Sequence, residues 1–185
     1  QRAEPMAAHY RVNAGFLPAN HWLHDVQQGG GRIIGEACHF IDFITFLTGE
    51  LPQWVTTTAL PDVNRYHQDN VQICFGFADG SLGTVTYLAN GTKAFPKERV
   101  EVFCGGRVGV LDDFRSLDLV NEHHHIHKVA RLRQDKGHLT AWSSFCDALA
   151  QGNPPPISYE QLLAVSQATF AAVRSLETGE KVILS

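Results

Sequence analysis

The sequence has no Cys-x-x-Cys pair, one methionine, and no apolar run near the roughly 20 residues that span a bilayer. Cys38, Cys74, Cys104 and Cys146 stand at least 30 residues apart, which argues against a zinc knuckle or a thioredoxin-type site. Three of the four lie in apolar stretches, where a reduced thiol packs as a small hydrophobe. No Gly-x-Ser-x-Gly elbow is present to carry a nucleophilic serine. Charge of one sign is also lacking: 15 basic against 19 acidic residues leave a net charge of −4, so neither nucleic acid nor an anionic membrane is an expected partner. The opening Gln1-Arg2-Ala3-Glu4-Pro5 is polar and lacks the apolar stretch of a secretory leader. Reduced thiols and no leader give a cytoplasmic expectation. The chain starts at Gln1 rather than at a methionine, and we expect it to be part of something longer.

Hydrophobic residues make up 44% of the 185, enough for the core of one domain spanning residues 1–185. Alternation predicts a strand over 7–16, followed by a loop holding His21, Trp22 and His24 and ending in Gly29-Gly30-Gly31. Helical spacing of Ile33, Ile34, Ala37, Phe40, Ile41, Ile44 and Leu47 predicts a helix over 32–48, closed by Gly49 and Pro52. Strands follow in the middle, with hairpin turns at Asp79-Gly80 and Gly105-Gly106 and a short strand over 117–120. After a polar segment, 123–134, helical spacing returns at Leu139, Trp142, Phe145 and Leu149. A last helix over 159–178 has Ser158 as its N-cap. The order strand, helix, several strands, two helices predicts an α+β fold with a mainly antiparallel sheet and helices on one face.

The glycine clusters do not read as a dinucleotide fingerprint, because no buried parallel strand precedes Gly29-Gly30-Gly31 and no βαβ unit follows. No cofactor-binding residue is therefore expected in this chain. The polar side of the first helix is more informative. Arg32, Glu36, His39 and Asp42 fall near one line, with Phe43 and Phe46 beside them, and an imidazole between carboxylates suits proton transfer near neutral pH. A solvated, ion-paired helix face is the plain alternative.

Gly29-Gly30-Gly31 followed by His39 and Asp42, after a strand and a Trp/His-bearing loop, resembles the C-terminal domain of Gfo/Idh/MocA oxidoreductases. Lys136-Gly137-His138, Tyr159-Glu160-Gln161-Leu162-Leu163 and the ending from Ser175 to Val182 resemble later parts of that domain. The resemblance implies an open-faced sheet with helices on one face, which commonly forms the oligomer interface. It also implies a missing N-terminal Rossmann domain that binds NAD or NADP and carries a catalytic Lys. It marks His39 as catalytic acid/base. Many relatives have an Asp four residues before this His; here that residue is Gly35, and we expect the adjacent Glu36 to replace it. Arg11, His21, Trp22, Arg32 and Asp42 are the expected substrate-binding residues, with Tyr87 as another strand residue able to point into a pocket.

The leading expectation is thus the substrate-binding and oligomerisation domain of an NAD(P)-dependent oxidoreductase for a sugar or polyol-like substrate, inactive in isolation. A carbohydrate-binding or scaffold module that kept the fold and lost the chemistry is the second reading. The third is a metal enzyme built on His123-His124-His125-x-His127. Four histidines in five residues cannot all converge on one ion, so the tract is expected to be an exposed loop or edge and no metal ligand is assigned.

Overall fold

A computed structural model describes residues 4–63, 65–130 and 134–184. Its elements run β1 (Ala7–Asn13), α1 (Cys38–Thr48), β2 (Pro52–Ala59), β3 (Asn70–Phe77), β4 (Leu82–Leu88), β5 (Glu98–Cys104), β6 (Arg107–Asp112), β7 (Ser116–Val120), β8 (His125–Val129), α2 (His138–Gln151), α3 (Tyr159–Thr178) and β9 (Val182–Ile183). A short 3₁₀ turn, Trp22–His24, and a π turn, Ile33–Ala37, precede α1. The nine strands among the described residues form one sheet in the order β8-β7-β6-β5-β1-β4-β3-β2-β9. The pairings are antiparallel except β1 with β4. This is the α+β architecture the sequence predicts.

Alternation assigns the two faces. Tyr10, Val12, Val55, Ile73, Phe75 and Val85 are buried, and Phe40, Ile41 and Ile44 of α1 join them in one core with Val165, Ala168, Ala171 and Ala172 of α3. The alanines let α3 lie close to the sheet. Ser158 caps α3 by accepting a hydrogen bond from the Gln161 N–H at 3.1 Å. The other face carries His9, Arg11, Thr84, Thr86, Arg99 and Glu101, cross-linked by Arg99 to Glu101 (3.0 Å) and Asp112 (3.4 Å). That open face mixes these polar and charged groups with exposed Leu82 and Phe103, which flank Ala7.

Three boundaries differ from the sequence reading. The first strand stops at Asn13, whose Nδ2 donates to the carbonyls of Thr92 and Phe95, and Gly15 turns left-handed at φ 74°. β2 was not anticipated: Thr56, Thr57 and Thr58 leave little contrast between its faces. The polar segment contains β8, an edge strand exposed along its whole length and so without a burial signal.

The helices cover only half of the sheet. Under β5 to β8, on the helix side, Val100, Val102, Leu111, Leu117, Leu119 and Ile126 line an open groove of about 1060 Å³ with Phe43 and Leu47. Helix α2 buries none of its residues, and Leu139, Trp142 and Leu149 are 84%, 68% and 74% exposed. Just before it, the Lys136 ammonium reaches Glu98 at 2.6 Å. Among the described residues, no helix is long and apolar enough to cross a membrane.

The Glu98 carboxylate, itself buried, also accepts the Tyr10 hydroxyl at 2.5 Å. Burial first, and then the Glu98 carboxylate, push the Tyr10 phenol far above its usual pKa. Removing that acceptor strands two polar groups at once. Glu98→Ala should therefore cost about 2–4 kcal/mol in urea unfolding, and Glu98→Gln, which keeps an acceptor, clearly less.

Candidate functional site

The π turn sets the site. The Cys38 N–H bonds the Ile33 carbonyl five residues back, so one extra residue enters the helix before His39. Within it, Gly35 gives way to a neighbour: a Cβ there would lie 2.2 Å from Leu23 Cδ1. Gly29 is less forgiving, because a Cβ there would lie 2.4 Å from the Leu23 Cα, a backbone atom that cannot swing away. The 3₁₀ turn around buried Leu23 thus rests directly on two glycines of the motif.

Arg32 is buried, and its guanidinium is surrounded by acceptors. Nε donates to Glu36 Oε2 at 2.9 Å and to the Tyr87 hydroxyl at 2.6 Å, while both terminal nitrogens reach the Gly15 carbonyl at 3.5 Å. The guanidinium carbon stands 5.0 Å from the centre of the Tyr87 ring, and the Tyr87 hydroxyl donates to the same Glu36 oxygen. Asp69, fully buried just before β3, completes the cluster. His24 Nδ1 lies 3.9 Å from it. Burial raises the Asp69 pKa, and the charges of His24 and Arg32 oppose that rise.

The expected stripe is split by this arrangement. Glu36 turns inward to Arg32 and Tyr87, and Asp42 accepts from Gln161 Nε2 of α3 at 3.3 Å. Among the described residues, neither carboxylate bonds the His39 ring, which is exposed. His21 caps the 3₁₀ turn through Nδ1, and Trp22 beside it is 57% exposed. Arg11 does not join these residues. It lies on the open face, donates to the Pro96 and Lys97 carbonyls, and covers the Phe95 ring. Tyr87, by contrast, is on the helix side and in the cluster. Asp69 escaped the sequence reading, because a single acid before a strand carries no pattern.

A dinucleotide does not fit the glycine segment. The Gly29 and Gly30 N–H groups, which a phosphate would need, already donate to the Asp25 carbonyl at 2.8 and 3.0 Å. Gly105 and Gly106 form the tight turn between β5 and β6.

Two consequences are measurable. Gly35→Asp, which restores an acid at that helix position, should drive its side chain into Leu23 and cost about 2–4 kcal/mol in thermal unfolding. Asp69 has a raised folded-state pKa, so the native state holds its proton more tightly than the unfolded chain does. Its contribution to stability must therefore fall as pH rises from the ordinary carboxylate range through the folded pKa. Across that window, urea unfolding should show Asp69→Asn gaining on the unaltered protein as pH increases.

A family description, the GFO/IDH/MocA C-terminal domain, matches residues 4–106. Among solved structures, levoglucosan dehydrogenase in complex with NADH superposes with a TM-score of 0.80 at 18% identity, covering 100% of this chain and 59% of that one. An Agrobacterium radiobacter oxidoreductase in complex with NAD+, L-tartaric acid and magnesium gives 0.75 at 18%, covering 97% and 57%. UDP-N-acetylglucosamine 3-dehydrogenase from Acidithiobacillus ferrooxidans gives 0.73 at 17%, covering 94% and 54%. The chain therefore spans little more than half the length of these structures. No curated protein matches it by sequence. With the matched segment running from the approach to β1 through the β5–β6 turn, and so including the glycines, Arg32 and His39, the chain belongs to the GFO/IDH/MocA C-terminal domain family.

Proposed function

We propose that this chain is the substrate domain of an NAD(P)-dependent oxidoreductase acting on a sugar or polyol-like substrate. The dinucleotide supplies the redox chemistry and is held by a domain outside this chain. The observation that carries the reading is the exposed His39 on a helix anchored from beneath by the Arg32–Glu36–Tyr87 cluster. Among the described residues the His39 imidazole has no protein partner, which leaves it available to a substrate hydroxyl, and the helix that bears it is fixed by buried ionic contacts. His39 takes the hydroxyl proton on oxidation and returns it on reduction. Glu36 is a positioning residue that acts through Arg32 and Tyr87. His21, Trp22 and Asp42 are the chain's other candidates for the substrate rim.

The chain's unpartnered apolar surfaces fit this division of labour. Helix α2 and the groove under β5 to β8 expose the kind of surface that a second domain covers. Self-association through the open sheet face also belongs to this reading. That face would make a mixed interface of Thr, Arg and Glu side chains around exposed Leu82 and Phe103.

The second reading, a binding module without chemistry, is favoured by Gly35 and by Leu23 occupying the space beside it. One experiment separates the two. In the protein joined to its dinucleotide domain, His39→Ala should lower kcat by about 10²–10⁴ with a smaller change in KM. Sugar binding undiminished by His39→Ala, in a protein without measurable turnover, would establish the binding module instead. Glu36→Gln should lower kcat without moving the pH–rate profile, whereas a shifted profile would place Glu36 in direct contact with the reacting proton.

A further inference from the structure

The histidine tract divides in two when it folds. His123 and His124 lie in a turn whose N–H groups are both held by Asn121 Oδ1, at 3.0 and 2.8 Å. His125 and His127 lie on β8, two residues apart and so on one face of the sheet. Asp118 of β7 pairs directly with His127. That places two imidazoles and a carboxylate on the open face, at the edge of the sheet farthest from β9 and away from the Arg32 cluster.

The three side chains already converge. His125 Nε2 donates to Asp118 Oδ1 at 2.6 Å, and His127 Nδ1 donates to the same oxygen at 2.8 Å. All three donor atoms lie within 4.8 Å of one another. In a tetrahedral zinc site the bonds are about 2.0–2.1 Å, which puts neighbouring donors about 3.3 Å apart. The three side chains are partly or largely exposed, so they are free to adjust toward that spacing. With both rings neutral the group carries one negative charge, and its nitrogen and oxygen donors match a borderline divalent ion.

We infer that Asp118, His125 and His127 form a binding site for a zinc-class divalent cation, with the remaining coordination positions filled by solvent. Two histidines spaced i, i+2 along a strand, with an acid directly across the ladder, supply three convergent ligands from one hairpin. Neither His123 nor His124 contributes. The site is independent of the proposed oxidoreductase chemistry, since it shares no residue with the His39 region.

The test uses the full chain without an affinity tag, stripped with chelator and titrated with zinc chloride by calorimetry at pH 7.5. One ion per chain should bind, and His125→Ala and His127→Ala should each weaken binding by at least tenfold. Asp118→Asn, which keeps the size and an acceptor, should weaken it too. A His123→Ala/His124→Ala double variant should bind as the parent does. Lowering the pH to 5.5 should reduce affinity, because protonated imidazoles cannot ligate. Cobalt(II) substitution should give a single d–d absorption band set that is lost in His127→Ala. No zinc uptake by the parent chain would overturn the inference, as would uptake that survives the His125 and His127 changes or that depends on His123 and His124.

Discussion

A guanidinium in the interior has to be neutralised where it stands, and Arg32 imposes that requirement on the whole first half of the chain. Its acceptors come from three places: Glu36 one turn on, Tyr87 on β4, and the Gly15 carbonyl in the loop after β1, while the buried Asp69 before β3 acts on it by charge alone. Each is distant in sequence from at least one other, so the cluster fixes helix, loop and sheet relative to one another. Leaving such a charge unpaired costs several kcal/mol, far more than any single surface contact returns. The position of His39 on the surface follows from what its neighbours must do underneath.

Periodicity made much of this fold legible. The alternation of Val71, Ile73, Phe75 and Phe77 fixed a buried face, and Gly80, Gly105 and Gly106 marked the turns that close the two hairpins. Ser158 and Gly179 bounded α3 correctly because capping is a local interaction. What failed was information that local sequence does not hold. The strand β2 is defined by its partners on either side, and β8 by pairing alone. The π turn is invisible to a reading at 100° per residue, so Glu36 and His39 were placed together when one faces the sheet and the other solvent. Arg11 and Tyr87, both single polar residues on strands, could not be assigned to faces until β1 and β4 were known to be neighbours in register.

The two faces of the sheet obey different chemistry. On the helix side, aromatic and branched residues from β1 to β4 close against α1 and α3, and the same apolar character continues under β5 to β8 where no helix follows. On the open side, arginine, glutamate, threonine and histidine lie in cross-strand rows, and ionic contacts take the place of packing. An apolar stretch without a cover and a face of charged rows beside exposed Leu82 and Phe103 call for different partners: the first suits a permanently docked domain, the second an association that salt weakens in part.

The placement of β1 also governs the order in which the molecule can be made. As the first strand of the chain it lies between β4 and β5, so Ala7 waits for Leu82 on one side and Phe103 on the other. During synthesis this central strand emerges before either of its neighbours and has no edge to join until about 75 residues later. The β3–β4 hairpin can form on its own, by contrast, because its strands are contiguous. Closure around β1 is therefore a long-range event, which favours slow folding and leaves an apolar strand in need of protection on the ribosome.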